Sequence, residues 1–110
     1  MLMSTCIKQN NKELIIGNFD TETGIWYISR DKNKHYFNKT NSWGLDEKMF
    51  KFLYTHQDLK SVVIKDYKTN EKWKISAEDI NKYKEYLHFK REGTDYRIQI
   101  FIPEKYWEKY

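Results

Sequence analysis

Residues 60–76 read KSVVIKDYKTNEKWKIS. Two strand-forming runs flank a polar turn there. KSVVIKDY (60–67) carries Val62, Val63 and Ile64 in succession, and β-branched side chains favour a pleated, buried surface. EKWKIS (71–76) alternates, with Glu71, Trp73 and Ile75 on one face and Lys72 and Lys74 on the other. KTN (68–70) turns between them, so the stretch predicts an antiparallel hairpin. A helical pattern lies on each side of it. Strands that come as hairpins, rather than separated by single crossover helices, predict an α+β fold. Its expected form is a mostly antiparallel sheet with two helices packed on one face.

Working outward, SAEDINKYKEY (76–86) predicts a helix. Ser76 is placed to cap it, and Glu78 and Asp79 fall in its first turn, where the backbone dipole favours negative charge. YLHFK (86–90) offers a short extra strand. DYRIQIFI (95–102) predicts the last strand, with Tyr96, Ile98, Ile100 and Ile102 on one side. Pro103 ends it, and PEKYWEKY adds a helical turn.

Upstream, Leu45, Met49, Phe52 and Leu53 recur with helical period in LDEKMFKFLYTH (45–56), with Ser42 or Gly44 as the expected cap and Trp43 packing against the helix start. Earlier still, ELIIGNF (13–19), IWYISR (25–30) and HYFNK (35–39) predict a three-strand meander joined by turns at DTETG (20–24) and DKNK (31–34). The predicted order is β-β-β-α-β-β-α-β.

The chain has 110 residues, which suits one small domain spanning 1–110. Four Trp, nine Tyr and six Phe supply the bulk of a core otherwise built from Ile and Val. No apolar run approaches the length of a membrane span, and MLMSTCIKQNNK lacks the basic start and apolar stretch of a secretory signal. With a single cysteine, Cys6, an internal disulfide is excluded and a cytoplasmic setting is expected. His35, His56 and His88 are far apart and form no metal-ligand spacing, so neither metal nor cofactor is expected. Four scattered glycines make no phosphate-cradling loop.

Net charge is +4, carried mainly by lysine. It concentrates in two places. Residues 30–39 hold Arg30, Lys32, Lys34 and Lys39 against Asp31, a net +3; residues 60–74 hold Lys60, Lys65, Lys68, Lys72 and Lys74 against Asp66 and Glu71, also +3. Lysines neutralise phosphates, and rings beside them stack bases. The candidate nucleic-acid-binding residues are therefore Arg30, Lys32, Lys34, Lys39, Lys72 and Lys74, with Tyr36 as a stacking ring. The competing reading is that these are solvated hairpin turns. Tyr106, Trp107 and Tyr110 would share one side of a short C-terminal helix and form a protein-binding patch.

Catalysis is argued down on geometry. Asp66 followed by EKWK approaches the acid, acid–x–Lys pattern of metal-dependent nucleases, but Glu71 and Lys74 are three apart and face opposite ways on a strand. Arg30, His35 and Tyr36 supply the residue types for metal-independent RNA cleavage, yet His35 and Tyr36 are strand neighbours and also point apart. The expectation is a non-enzymatic binding protein with DNA or RNA as its partner. The alternative is a protein–protein module, an inhibitor or accessory factor of phage or mobile-element type, with an acidic protein or a second copy of the chain as partner.

Overall fold

The computed structural model describes residues 1–9, 12–32, 42–83, 88–92 and 97–110. In chain order they form β1 (Leu2–Gln9), β2 (Lys12–Asp20), β3 (Ile25–Arg30), β4 (Ser42–Asp46), α1 (Glu47–His56), β5 (Ser61–Asp66), β6 (Lys72–Ser76), α2 (Ala77–Tyr83), β7 (His88–Glu92) and β8 (Arg97–Pro103). A 3₁₀ turn over Glu104–Tyr106 and a short β9 (Glu108–Lys109) follow. Six strands make one sheet in the order β1-β2-β3-β5-β6-β9, and three make a second in the order β4-β8-β7. The fold is α+β, and β3–β5 is the one parallel pair among the described residues.

Strand alternation gives the large sheet two unlike faces. Phe19, Trp26, Val62 and Ile75 stand in register across β2, β3, β5 and β6, and all four are buried. Ile28 and Ile64 lie in the next inward row, with half-buried Trp73 beside them. Phe50 and Leu53 of α1, Ala77 and Ile80 of α2, and Trp43, Leu45, Ile100 and Ile102 of the small sheet close over this face as one core. The two helices therefore pack on one side of the large sheet. Trp26 anchors the arrangement. Its indole is fully buried, and Nε1 donates to Thr5 Oγ1 on β1 at 3.0 Å. Gly17, which pairs with Thr5, leaves the room; a Cβ there would collide with the Tyr27 carbonyl and lie 3.2 Å from the indole nitrogen.

Two backbone features start and stop the parallel pair. At one end Gly24 adopts φ +74°, a region that suits glycine, and its carbonyl accepts the N–H groups of Lys60 (2.8 Å) and Ser61 (3.3 Å). The β2–β3 turn thus holds the entry of β5 beside β3. At the other end Asp66, 1% exposed, gathers three backbone donors. Lys32 N–H reaches Oδ2 at 2.8 Å, and Lys68 and Thr69 N–H reach Oδ1 at 2.8 and 3.1 Å.

Several expectations are corrected. LMSTCIKQ, for which no element was expected, is a strand, because β2 pairs with it along its whole length. β3 is paired with β2 on one side and β5 on the other, and HYFNK (35–39), the expected third meander strand, lies outside the described residues. The α1 cap is Asp46, which accepts Met49 N–H at 2.8 Å, not Ser42 or Gly44. Those two belong to β4, a strand buried along its length, and Trp43 pairs there with Ile102 instead of stapling the helix. With the helix starting at Glu47, its buried side is Phe50 and Leu53, and Phe52 is exposed. Ser76 does cap α2, accepting Asp79 N–H at 3.0 Å, and β7 takes up most of YLHFK.

Burial raises the Asp66 carboxyl pKa, but the N–H groups of Thr69, Lys68 and Lys32 outweigh it and hold it below its ordinary 3.8. A carboxyl held lower in the folded state contributes stability above the unfolded value, and loses it as pH falls through the folded one. Asp66→Asn should therefore cost about 1–3 kcal/mol near neutrality. Urea unfolding between pH 7 and pH 2.5 should show the variant losing less stability on acidification than the parent. Parallel acid limbs in the two proteins would contradict this role.

Candidate nucleic-acid interface

The side of the large sheet away from the core carries the residues that alternate with the buried rows. Asn18, Tyr27, Val63 and Lys74 stand in one row, and Ser29, Lys65 and Lys72 in the next. Tyr110 joins the second row by donating its N–H to the Lys72 carbonyl at 2.8 Å. A shallow concavity of about 400 Å³ opens on this face. A bulge forms one wall: Thr5 pairs with Gly17 and Cys6 with Ile15, which leaves Ile16 as an extra residue in β2. Bulges bend the strand that holds them. Ile15 and Ile16 both line the concavity.

Lys65 and Lys72 are directly opposed across β5 and β6. Like charges in that position repel. Among the described residues no carboxylate lies within ion-pair distance of Lys65, Lys72 or Lys74. Lys74 has Glu108 as its ladder partner, yet its Nζ turns to the Tyr110 ring, 5.4 Å from the centroid.

The expected site residues divide. Lys72 and Lys74 come together on this face. Lys65, which the candidate set omitted although it lies in the same basic segment, completes the group. The signal for it was in the sequence: in a tight hairpin the register places Lys65 opposite Lys72. Arg30 and Lys32 lie elsewhere. By alternation from Trp26 and Ile28, Arg30 falls on the inner side at the end of β3, where its ladder partner is Asp66. Lys32 Nζ is 3.0 Å from Glu104 Oε1 and 6.0 Å from the Trp73 ring centroid. Lys68, from the second cluster, pairs with buried Asp31 at 3.3 Å, and Tyr67 Oη donates to the same carboxylate at 3.1 Å. These cations hold the strand end together. Lys34, Tyr36 and Lys39 lie outside the described residues.

The aromatic tail is not one helical face. After the turn at Glu104–Tyr106, Trp107 returns to extended backbone (φ −94°, ψ 143°), and its indole is buried, donating Nε1–H to the Ile102 carbonyl at 3.3 Å. β9 then adds to the edge of β6. Tyr106 and Tyr110 are exposed, on either side of that buried residue. The nuclease-like reading of Asp66 is likewise occupied by structure, since both its oxygens accept backbone N–H groups. His56 ends α1, with Nδ1 2.7 Å from Thr55 Oγ1. Among the described residues no three His, Cys, Asp or Glu side chains are grouped to hold a metal ion.

No protein family and no curated protein sequence matches this chain. Its fold is similar to that of a nuclease from a fusselovirus, with a TM-score of 0.52 at 12% identity. The match covers 96% of this chain and 58% of that one, so the chain spans a little over half the length of the nuclease. The likeness overturns the expectation of a non-enzymatic protein, because this architecture also serves an enzyme that cuts nucleic acid.

The division of the cations has a measurable consequence. Lys32→Glu sets a carboxylate against Glu104 and removes the contact with Trp73, so it should cost about 1 kcal/mol and lower the thermal midpoint by ~4 °C. Lys72→Glu relieves the repulsion with Lys65 and should leave the midpoint unchanged or raise it. Equal losses in the two melts would mean that the cations are not divided in this way.

Proposed function

We propose that this protein acts on nucleic acid and holds the sugar-phosphate backbone across the outer face of its large sheet. Lys65, Lys72 and Lys74 meet phosphates, and Tyr27 and Tyr110 lie beside them. The observation that carries this reading is the opposition of Lys65 and Lys72, with no carboxylate among the described residues within ion-pair distance of either. An arrangement that costs the free protein stability is compensated when an anion binds. The likeness to the viral nuclease supports the same class of ligand. Strand cleavage is the second reading, favoured by that likeness alone.

One titration tests binding, and the same oligonucleotides test cleavage. Fluorescence anisotropy with labelled DNA and RNA should show affinity falling as salt rises. Three phosphates on three lysines correspond to a log–log slope of about −2 for a single strand. Lys65→Glu with Lys72→Glu should weaken binding at least tenfold and flatten the slope, while the fold persists by circular dichroism. Unchanged affinity in the double variant would remove the outer face from the reading. Incubation of end-labelled strands with magnesium or manganese, against a chelator control, reads cleavage directly. Intact strands under every condition would dismiss the second reading and leave the first in place.

A further inference from the structure

The outer face is not uniformly charged, and its apolar part says which form of nucleic acid it suits. The concavity is lined by Ile15, Tyr27 and Val63, with the opposed pair Lys65 and Lys72 and the neighbouring Tyr110 at its margin. Ile15 is 71% exposed, Tyr110 60% and Tyr27 37%, so apolar and aromatic surface is open to water beside the two lysines. Asn18 and Ser29 bring hydrogen-bonding side chains to the same hollow.

We infer that this concavity receives an unpaired base, so that the ligand is single-stranded nucleic acid. The inference rests on the proposed function and deepens it. A duplex keeps its base faces inside its own stack and offers a surface of phosphates. Laid on this sheet, it would satisfy the lysines and leave the hollow unfilled. A single strand offers phosphates and bare base faces together. Its phosphates reach Lys65 and Lys72 at the margin while a base enters against Tyr27. Every base has an aromatic face, so such a site tolerates sequence, and its selectivity is for strandedness. Tyr110 supplies the second ring, already in contact with the Lys74 ammonium.

The test uses the full chain and three probes of equal length: a single strand, its duplex, and an abasic strand with the same phosphates. Affinities are read by anisotropy at low and physiological salt. The base-bearing single strand should bind about tenfold or more tightly than either of the other two. Tyr27→Ala should lose roughly tenfold on that strand, with the salt slope unchanged and no loss on the abasic strand. Tyr27→Phe keeps the ring and should bind like the parent. The parent's preference for bases over abasic sites carries the test even where Tyr27→Ala folds poorly. Equal affinity for the base-bearing and abasic strands, or for single strand and duplex, overturns the inference; if the lysine variants still weaken binding, the proposed function survives. No binding of any probe overturns both.

Discussion

Everything on the outer face depends on the register that Trp26 imposes on the inner one. A buried indole must find an acceptor for its N–H. Here that acceptor is the Thr5 hydroxyl, two strands away across the missing side chain of Gly17. The bond ties β1 to β3 through β2 and fixes which residues of β3 point inward. Since β5 and β6 are in register with β3, the choice passes along the sheet to Val62 and Ile75. A slip of one residue would exchange the faces of a strand. Lys65, Lys72 and Lys74 would then turn into the core. The position of these three lysines is a by-product of where one tryptophan is buried.

The described lysines stand in two different surroundings. Around the exit of the parallel pair, Asp31, Asp66 and Glu104 draw in Lys32 and Lys68 and the backbone of residues 32, 68 and 69. Charge there is balanced within the fold. On the outer face the same residue type is set in an unbalanced row. Both basic segments carry a net +3, and each gives a lysine, Lys32 or Lys68, to the balanced group, so composition cannot distinguish an ion-pair network from an unpaired row. Register can, because it decides which lysines face a carboxylate.

Much of the architecture was legible for this reason, and the site only in part. The 60–76 hairpin, the 13–30 hairpin, the Ser76-capped helix and the last strand were all set by local pattern. What escaped was set by distant partners. LMSTCIKQ has apolar residues on both faces and becomes a strand because β2 lies along it. SWGLD has little strand propensity and becomes one because β8 runs beside it. Trp107 was grouped with Tyr106 and Tyr110 on a helical count, but extended backbone at Trp107 sends its ring inward. Alternation alone placed Lys72 and Lys74 on one face of their strand. Lys65 needed one further step, pairing the hairpin in register, which the sequence allowed. The partner of Lys32, Glu104, is distant in sequence, so local pattern could not show their pairing.

Val63 shows what the outer face asks of its lysines. It points away from the core, with no described helix or strand over it, yet is only 2% exposed. Tyr27 and Lys74 flank it in its own row, and Lys65 stands in the next. Long lysine stems cover apolar surface while their ammonium groups stay in water. The lysines therefore shelter the sheet as well as charge it, and the two roles separate by substitution. Alanine removes stem and charge together and uncovers Val63. Glutamate keeps part of the stem and reverses the charge. Comparison of the two at Lys74 divides the stability supplied by the stem from the affinity supplied by the ammonium group, which a single substitution would confound.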